Sequence, residues 1–269
     1  MPSTAKSHFD QDIQRARAIR DLAVLLSNEP EETVIDKKGQ KRLLIEDLLR
    51  SAWMFAVGAM DAYFCDAYIY VLTGTLRAKS LQYTVTLPPF IRKIAIPIGA
   101  ILNNYPARPN WRWRMAIRAM MEKDNILELE KVRKLFNPFL EEKTKKKLFA
   151  EVVGSWIGMR GATSRMFSIT ADQYKALTPG RDTDTADKAA WECMNKRITK
   201  LIQRRHDCIH NCDRPKNKPQ PIKRPGTVSA VINDIVFLVE NFDKHIDKEF
   251  GVFLDIIGCN ATTKNSLGY

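Results

Sequence analysis

Apolar residues recur at helical spacing from near the start of the chain. Phe9, Ile13, Ala16, Ile19, Leu22 and the Leu25/Leu26 pair share one face, with charges opposite, which predicts an amphipathic helix over 7–28. The stretch "EPEETVIDKKGQK" breaks that pattern. A longer helix is predicted from about Lys41 to Leu72, apolar nearly all round between Ala52 and Phe64, as in the middle of a bundle. "TLPPF" at 86–90 reads as a stop. Shorter helical pieces follow at 91–103, 110–122, 125–136 and 140–153, and residues 161–185 read mainly as a connection. Within it, "TPGRDTDTAD" offers turn residues and an N-cap. A strong helix is predicted from about Ala186 to Asn211, then the basic, proline-rich loop "DRPKNKPQPIKRPG". A further helix runs from about Thr227 to Ile246, with a short piece after it and a polar tail.

Convincing strand alternation is scarce, and no repeat or glycine-rich phosphate loop is visible. The fold class predicted is all-α, a helical bundle in one domain over 1–257. Residues 76–180 are a possible helical insertion, and 258–269 a polar C-terminal tail.

Charge adds a partner class. The net charge is +12, with an isoelectric point near 9.5, which favours a polyanion: RNA, DNA or an anionic membrane surface. The plainer alternative is a protein that tolerates its lysines. A membrane span is not expected, because the best window, 53–72, carries Asp61 and Asp66 and is rich in Ala, Gly and Tyr. The stretch "IAIPIGAIL" is too short and holds Pro97. The first twenty residues lack the apolar core of a signal peptide. Five cysteines, at 65, 193, 208, 212 and 259, then read as free thiols in a reducing cytoplasm.

The predicted helix over 186–211 carries the candidate chemistry. Trp191, Met194, Ile198, Leu201, Cys208 and Cys212 repeat at steps of three and four, and Arg205 fills the position between Leu201 and Cys208. A guanidinium on an apolar seam needs a partner, an open cleft or an anionic ligand. Alternatively its stem packs while its head reaches water near the helix end. His206 and His210, four apart, share a face about 100–140° round from Arg205.

A metal site is one reading of "HDCIH", with His245 needed to complete it. Asp207 stands where the zincin pattern wants glutamate, and on a helix the histidine and cysteine pairs point to nearly opposite sides. Metal-independent phosphodiester chemistry is another. It needs a base for the 2′-hydroxyl, an acid for the leaving oxygen and positive charge on the phosphorane, which histidine and arginine supply.

"RRHDCIHN" resembles the active-site signature of HEPN-domain ribonucleases, an arginine followed after four to six residues by histidine. Arg205, His206 and His210 match the four-residue spacing, and Arg204 with His210 fits the five-residue spacing. The string is similar to the branch found in prokaryotic defence and RNA-cleaving toxin systems. "AVGAMDAYFCD" resembles an early HEPN helix whose acid, here Asp61, faces the arginine; its bland role is a buried carboxylate satisfied by a backbone group or a tyrosine hydroxyl. The resemblance covers the central helix and about 186–246; the middle, 76–180, resembles nothing recognised.

The resemblance implies a core of four to five helices, dimerising through the motif-bearing helices. It implies RNA cleavage without metal or cofactor, leaving a 2′,3′-cyclic phosphate and a 5′-hydroxyl. On that reading His210 transfers protons, Arg205 stabilises the phosphate, His206 assists and Asp61 holds Arg205. The substrate would be RNA (tRNA or mRNA), with an antitoxin or regulatory partner and no membrane. Arg204 and Asn211 flank the motif and join the RNA-contact set. Alternatives are a non-catalytic HEPN-like module that binds a nucleotide, a nucleic acid or a partner protein, and a zinc-dependent hydrolase.

Arg214, Lys216, Lys218, Lys223 and Arg224 in the adjoining loop are the better candidates for backbone contact. "RPNWRWRMAIR" interleaves Arg112 and Arg114 with Trp111 and Trp113, so bases could stack there, or the tryptophans pack inward with the arginines outside. "KTKKK" at 143–147 reads as a solvated face.

Overall fold

The computed structural model describes residues 4–30, 39–96, 98–102, 111–121, 126–140, 152–210 and 222–269, with backbone alone at 98, 100 and 210. Every regular element among these is helical, so the chain is an all-α bundle. Helix α1 is Thr4–Asn28 and α2 is Gln40–Leu81. Short helices follow: α3 Pro89–Arg92, α4 Ile98–Leu102, α5 Trp111–Met121 and α6 Leu129–Phe136 with a 3-10 turn at Asn137–Phe139. Then come α7 Val153–Ile157, α8 Ser164–Phe167, α9 Ala171–Lys175, α10 Arg181–His210, α11 Pro225–Ile256 and α12 Ala261–Leu267.

The long helix α2 is the axis. Its buried positions cover all sides between Leu49 and Leu72, and Ala52, Ala56, Ala59 and Ala67 let neighbours approach closely. Helix α1 lies antiparallel to it. Phe9 meets Tyr63 edge-on at 5.7 Å, His8 meets Asp66 at 3.2 Å, and Glu29 lies beside Lys41. Helix α11 runs alongside in the same sense as α2, with Phe242 against Phe64 (5.1 Å) and Phe250 against Gly74. At Gly74 a Cβ would stand 3.0 Å from the Phe250 ring, so the glycine lets α2 and α11 approach without displacing that ring.

Phe136 stacks edge-on to Phe242 at 4.9 Å, and Phe139 to Phe253 at 5.1 Å. Each ring is fully buried, and truncating a core phenylalanine to alanine costs about 3–5 kcal/mol. Trp156 and Phe167 join the same core, so the middle of the chain shares the hydrophobic interior of the long helices.

Several boundaries differ from the sequence expectation. Helix α2 continues past Leu72 to Leu81 and ends where Gln82 turns extended, ahead of "TLPPF". Pro89 there opens α3 at its first position, where a missing N–H costs nothing. The predicted 91–103 helix is two short ones, and most of the 140–153 helix lies outside the described residues. Residues 161–185 form more than a connection, because α8 buries Met166 and Phe167 and a Thr170/Gln173 capping box starts α9. Helix α11 continues to Ile256, and the expected tail is helix α12, N-capped by Asn260 and followed by Tyr269 packed on Phe250 at 5.3 Å. Helix α2 is long and apolar enough to cross a membrane, but 67% of its apolar window is buried inside the bundle.

Candidate functional site

Helix α10 places the motif. Met194, Ile198, Leu201 and Cys208 are buried, so the predicted seam is the face that meets the bundle. One bond pins its C-terminal half: the Trp53 indole N–H on α2 donates to the Leu201 carbonyl, 3.1 Å away and buried. Arg205 follows one turn later and is half-buried.

Asp61, two turns beyond Trp53 on α2, lies within electrostatic reach of Arg205. Burial pushes the Asp61 carboxyl above its ordinary range, while the Arg205 charge and a hydrogen bond from the Ile126 backbone N–H pull it back down. Its Oδ1 is shielded from water with no hydrogen-bond partner. Among the described residues Arg205 forms no hydrogen bond or direct ion pair. The pair therefore attract without closing on one another, and the guanidinium keeps its donors for another acceptor.

The neighbouring arginine faces elsewhere. Consecutive helical residues stand about 100° apart. Arg204 lines an open cleft of about 530 Å³ between α10, the segment 222–224 and the start of α11, with Trp53 also in its wall. Among the described residues five cationic side chains line it, Arg197, Lys200, Arg204, Lys223 and Arg224, against the single carboxylate of Asp207. Gln203 donates to that carboxylate at 3.0 Å. The N-terminus of α11 opens beside the cleft, and its helix dipole adds to the attraction for anions.

Arg197 is held from behind by Asp234 of α11. That carboxylate is 1% exposed and accepts from Arg197 Nε at 2.9 Å and from the Arg165 fork at 2.7 and 3.0 Å. Asp234 escaped sequence reasoning, although it is an acid inside the apolar run "VINDIVFLV", the signal that picked out Asp61.

Of the sequence-predicted residues, the fold brings together Asp61 with Arg205, and Arg204 with Lys223 and Arg224. His206 is half-buried on α10 beside Arg205. The His210 side chain, Asn211, Arg214, Lys216 and Lys218 lie outside the described residues, as do Cys212 and 143–147. Arg112 and Arg114 do not join the cleft. They sit on α5 over the rings of Trp113 (5.1 Å) and Trp111 (5.5 Å), and Arg114 lines a separate cavity. Both tryptophans are half-buried, between the stacking platform and the inward packing that the sequence left open.

Compared with known proteins, the chain matches no family model, no curated protein and no solved structure. Residue chemistry and geometry therefore carry the functional reading.

Proposed function

We propose that this protein is a metal-independent RNA endonuclease acting at the C-terminal end of α10, of the HEPN kind that "RRHDCIHN" resembles. The observation that carries the reading is Arg205: a half-buried guanidinium on an apolar seam, drawn toward Asp61 yet with no hydrogen-bond acceptor among the described residues. A phosphate supplies the missing acceptors. The cleft bearing Arg204, Lys223 and Arg224 supplies a track for the strand to one side of the scissile bond.

The reaction assigned to the site is transesterification. A base takes the proton of the ribose 2′-hydroxyl, and the oxygen attacks phosphorus. The bond to the 5′-oxygen breaks, and that oxygen leaves with a proton from an acid. The products are a 2′,3′-cyclic phosphate and a 5′-hydroxyl. His210 is the proton-transfer residue and His206 assists it. Arg205 stabilises the charge that builds on the phosphorane, and Asp61 limits the directions its side chain takes. A homodimer pairing two α10 ends, a cytoplasmic setting and a role as toxin or defence effector belong to the same proposal.

A binding module without catalysis is the second reading. The divergence of Arg204 and Arg205 favours it, because the basic cleft gathers Arg204, Lys223 and Arg224 without Arg205 or His206. Arg205→Ala and His210→Ala, assayed on total RNA with and without chelator, separate the two. Cleavage by wild type that resists chelator and is lost in both variants supports the nuclease. Intact RNA that nonetheless binds wild type, with binding lost in Arg204→Gln, supports the module.

A further inference from the structure

A second cavity lies away from the motif. It holds about 390 Å³ between α1, α2, α5, α11 and α12, within the range of small-molecule sites. One stripe of α2 forms its wall, Tyr70, Thr73, Gly74 and Arg77, at helical steps of three and four. Gly74 keeps that wall bare, and the Phe250 ring lies against it. Trp111 and Arg114 of α5 form the facing wall, with the guanidinium 5.5 Å from the indole centroid.

Two polar groups of its α2 wall are unspent. Arg77 Nε and Thr73 Oγ1 are both shielded from water and have no hydrogen-bond partner. Buried polar atoms of this kind are costly and call for a missing partner. Among the described residues no carboxylate side chain lines the cavity beside its two guanidiniums. Asp247, behind it, is engaged by the Tyr269 hydroxyl at 3.0 Å.

Flat aromatic walls suit a planar heterocycle, and paired guanidiniums suit phosphate oxygens. The Thr73 hydroxyl suits a ribose or phosphate oxygen. We propose that this cavity binds a nucleoside phosphate, with the base against Trp111 and the phosphate between Arg77 and Arg114. The ligand is either a free nucleotide or the terminal nucleotide of a strand. This site shares no lining residue with the basic cleft, and it stands whether or not α10 is catalytic.

The test is isothermal titration calorimetry of the full chain with AMP, GMP, CMP and UMP. Inorganic phosphate, adenosine and a short 5′-phosphorylated single-stranded RNA are titrated beside them. At least one mononucleotide is expected to bind saturably, with phosphate and adenosine each about tenfold weaker or worse. Arg77→Gln and Arg114→Gln, each shown to fold by circular dichroism, are expected to weaken binding about tenfold or more. Arg204→Gln/Lys223→Gln is expected to leave it unchanged. In Arg204→Gln/Lys223→Gln, tighter binding of the 5′-phosphorylated strand than of its mononucleotide, lost when Arg77→Gln is added, assigns the site to RNA ends, and equal or weaker binding to free nucleotide. No saturable binding by folded wild type overturns the proposal. So does binding that survives Arg77→Gln and Arg114→Gln, or that disappears with Arg204→Gln/Lys223→Gln.

Discussion

Asp61 and Arg205 attract each other across the α2–α10 contact without a hydrogen bond between them. A closed ion pair would satisfy both groups and leave nothing for a ligand. The open arrangement leaves the carboxyl dominated by burial and the guanidinium with donors to spare.

That balance has a sign in pH. Burial raises the folded Asp61 pKa above its ordinary 3.8 despite the pull of Arg205. A raised carboxyl contributes stability that is full below the unfolded pKa and lost as pH rises through the folded one. Asp61→Asn removes that loss. Its melting temperature relative to wild type is therefore expected to climb between pH 4 and pH 7, as thermal scans at both would show. Asp61→Asn/Arg205→Leu is expected to melt differently from the sum of its single changes, because the two groups are coupled.

Trp53 ties α10 to α2 through the Leu201 carbonyl. Trp53→Phe keeps most of the apolar contact and removes the donor. It is expected to cost about 1–2 kcal/mol in urea unfolding. RNA cleavage should fall beyond that stability loss, because Arg205 is carried one turn past the lost bond.

Asp234 neutralises part of two arginines that otherwise repel. Asp234→Ala is expected to destabilise by about 2–4 kcal/mol, toward the low end of buried pairs because Arg165 reaches water. Denaturant midpoints measure it. Arg165→Leu is expected to cost less, since Arg197 still pairs with the carboxylate.

The cleft makes an ionic-strength prediction. Arg204→Gln/Lys223→Gln is expected to weaken binding of single-stranded RNA irrespective of sequence. The slope of log affinity against log salt should become shallower by about 1.4, at about 0.7 per phosphate contact. Fluorescence anisotropy across a salt series reads this directly.

Much of this was legible from periodicity. Arg205 announced itself because every other seam position from Met194 to Cys208 is apolar, and the fold buries that seam. The end of α2 was not legible. "TGTLRAKSL" has little helical signature of its own, and the contacts it makes there, Gly74 against Phe250 and buried Thr75 and Ala78, are distant in sequence or hidden from periodicity. The two prolines of "TLPPF" do fall between helices, and the second also opens the next one at Pro89. Helix α8 has only four residues, too few to show a period, yet it buries Phe167 fully. Asp234 was within reach, because an acid inside an apolar run gives the same signal as Asp61. The Arg77–Trp111 cavity was out of reach, because its described walls come from five helices separated along the chain.

The most direct measurement is the end chemistry of RNA incubated with the protein in excess EDTA, with Arg205→Ala alongside. The account predicts fragments bearing 5′-hydroxyl and 2′,3′-cyclic phosphate ends from wild type, and intact RNA with the variant. Fragments with 5′-phosphate ends, cleavage that EDTA abolishes, or equal cutting by Arg205→Ala would contradict it.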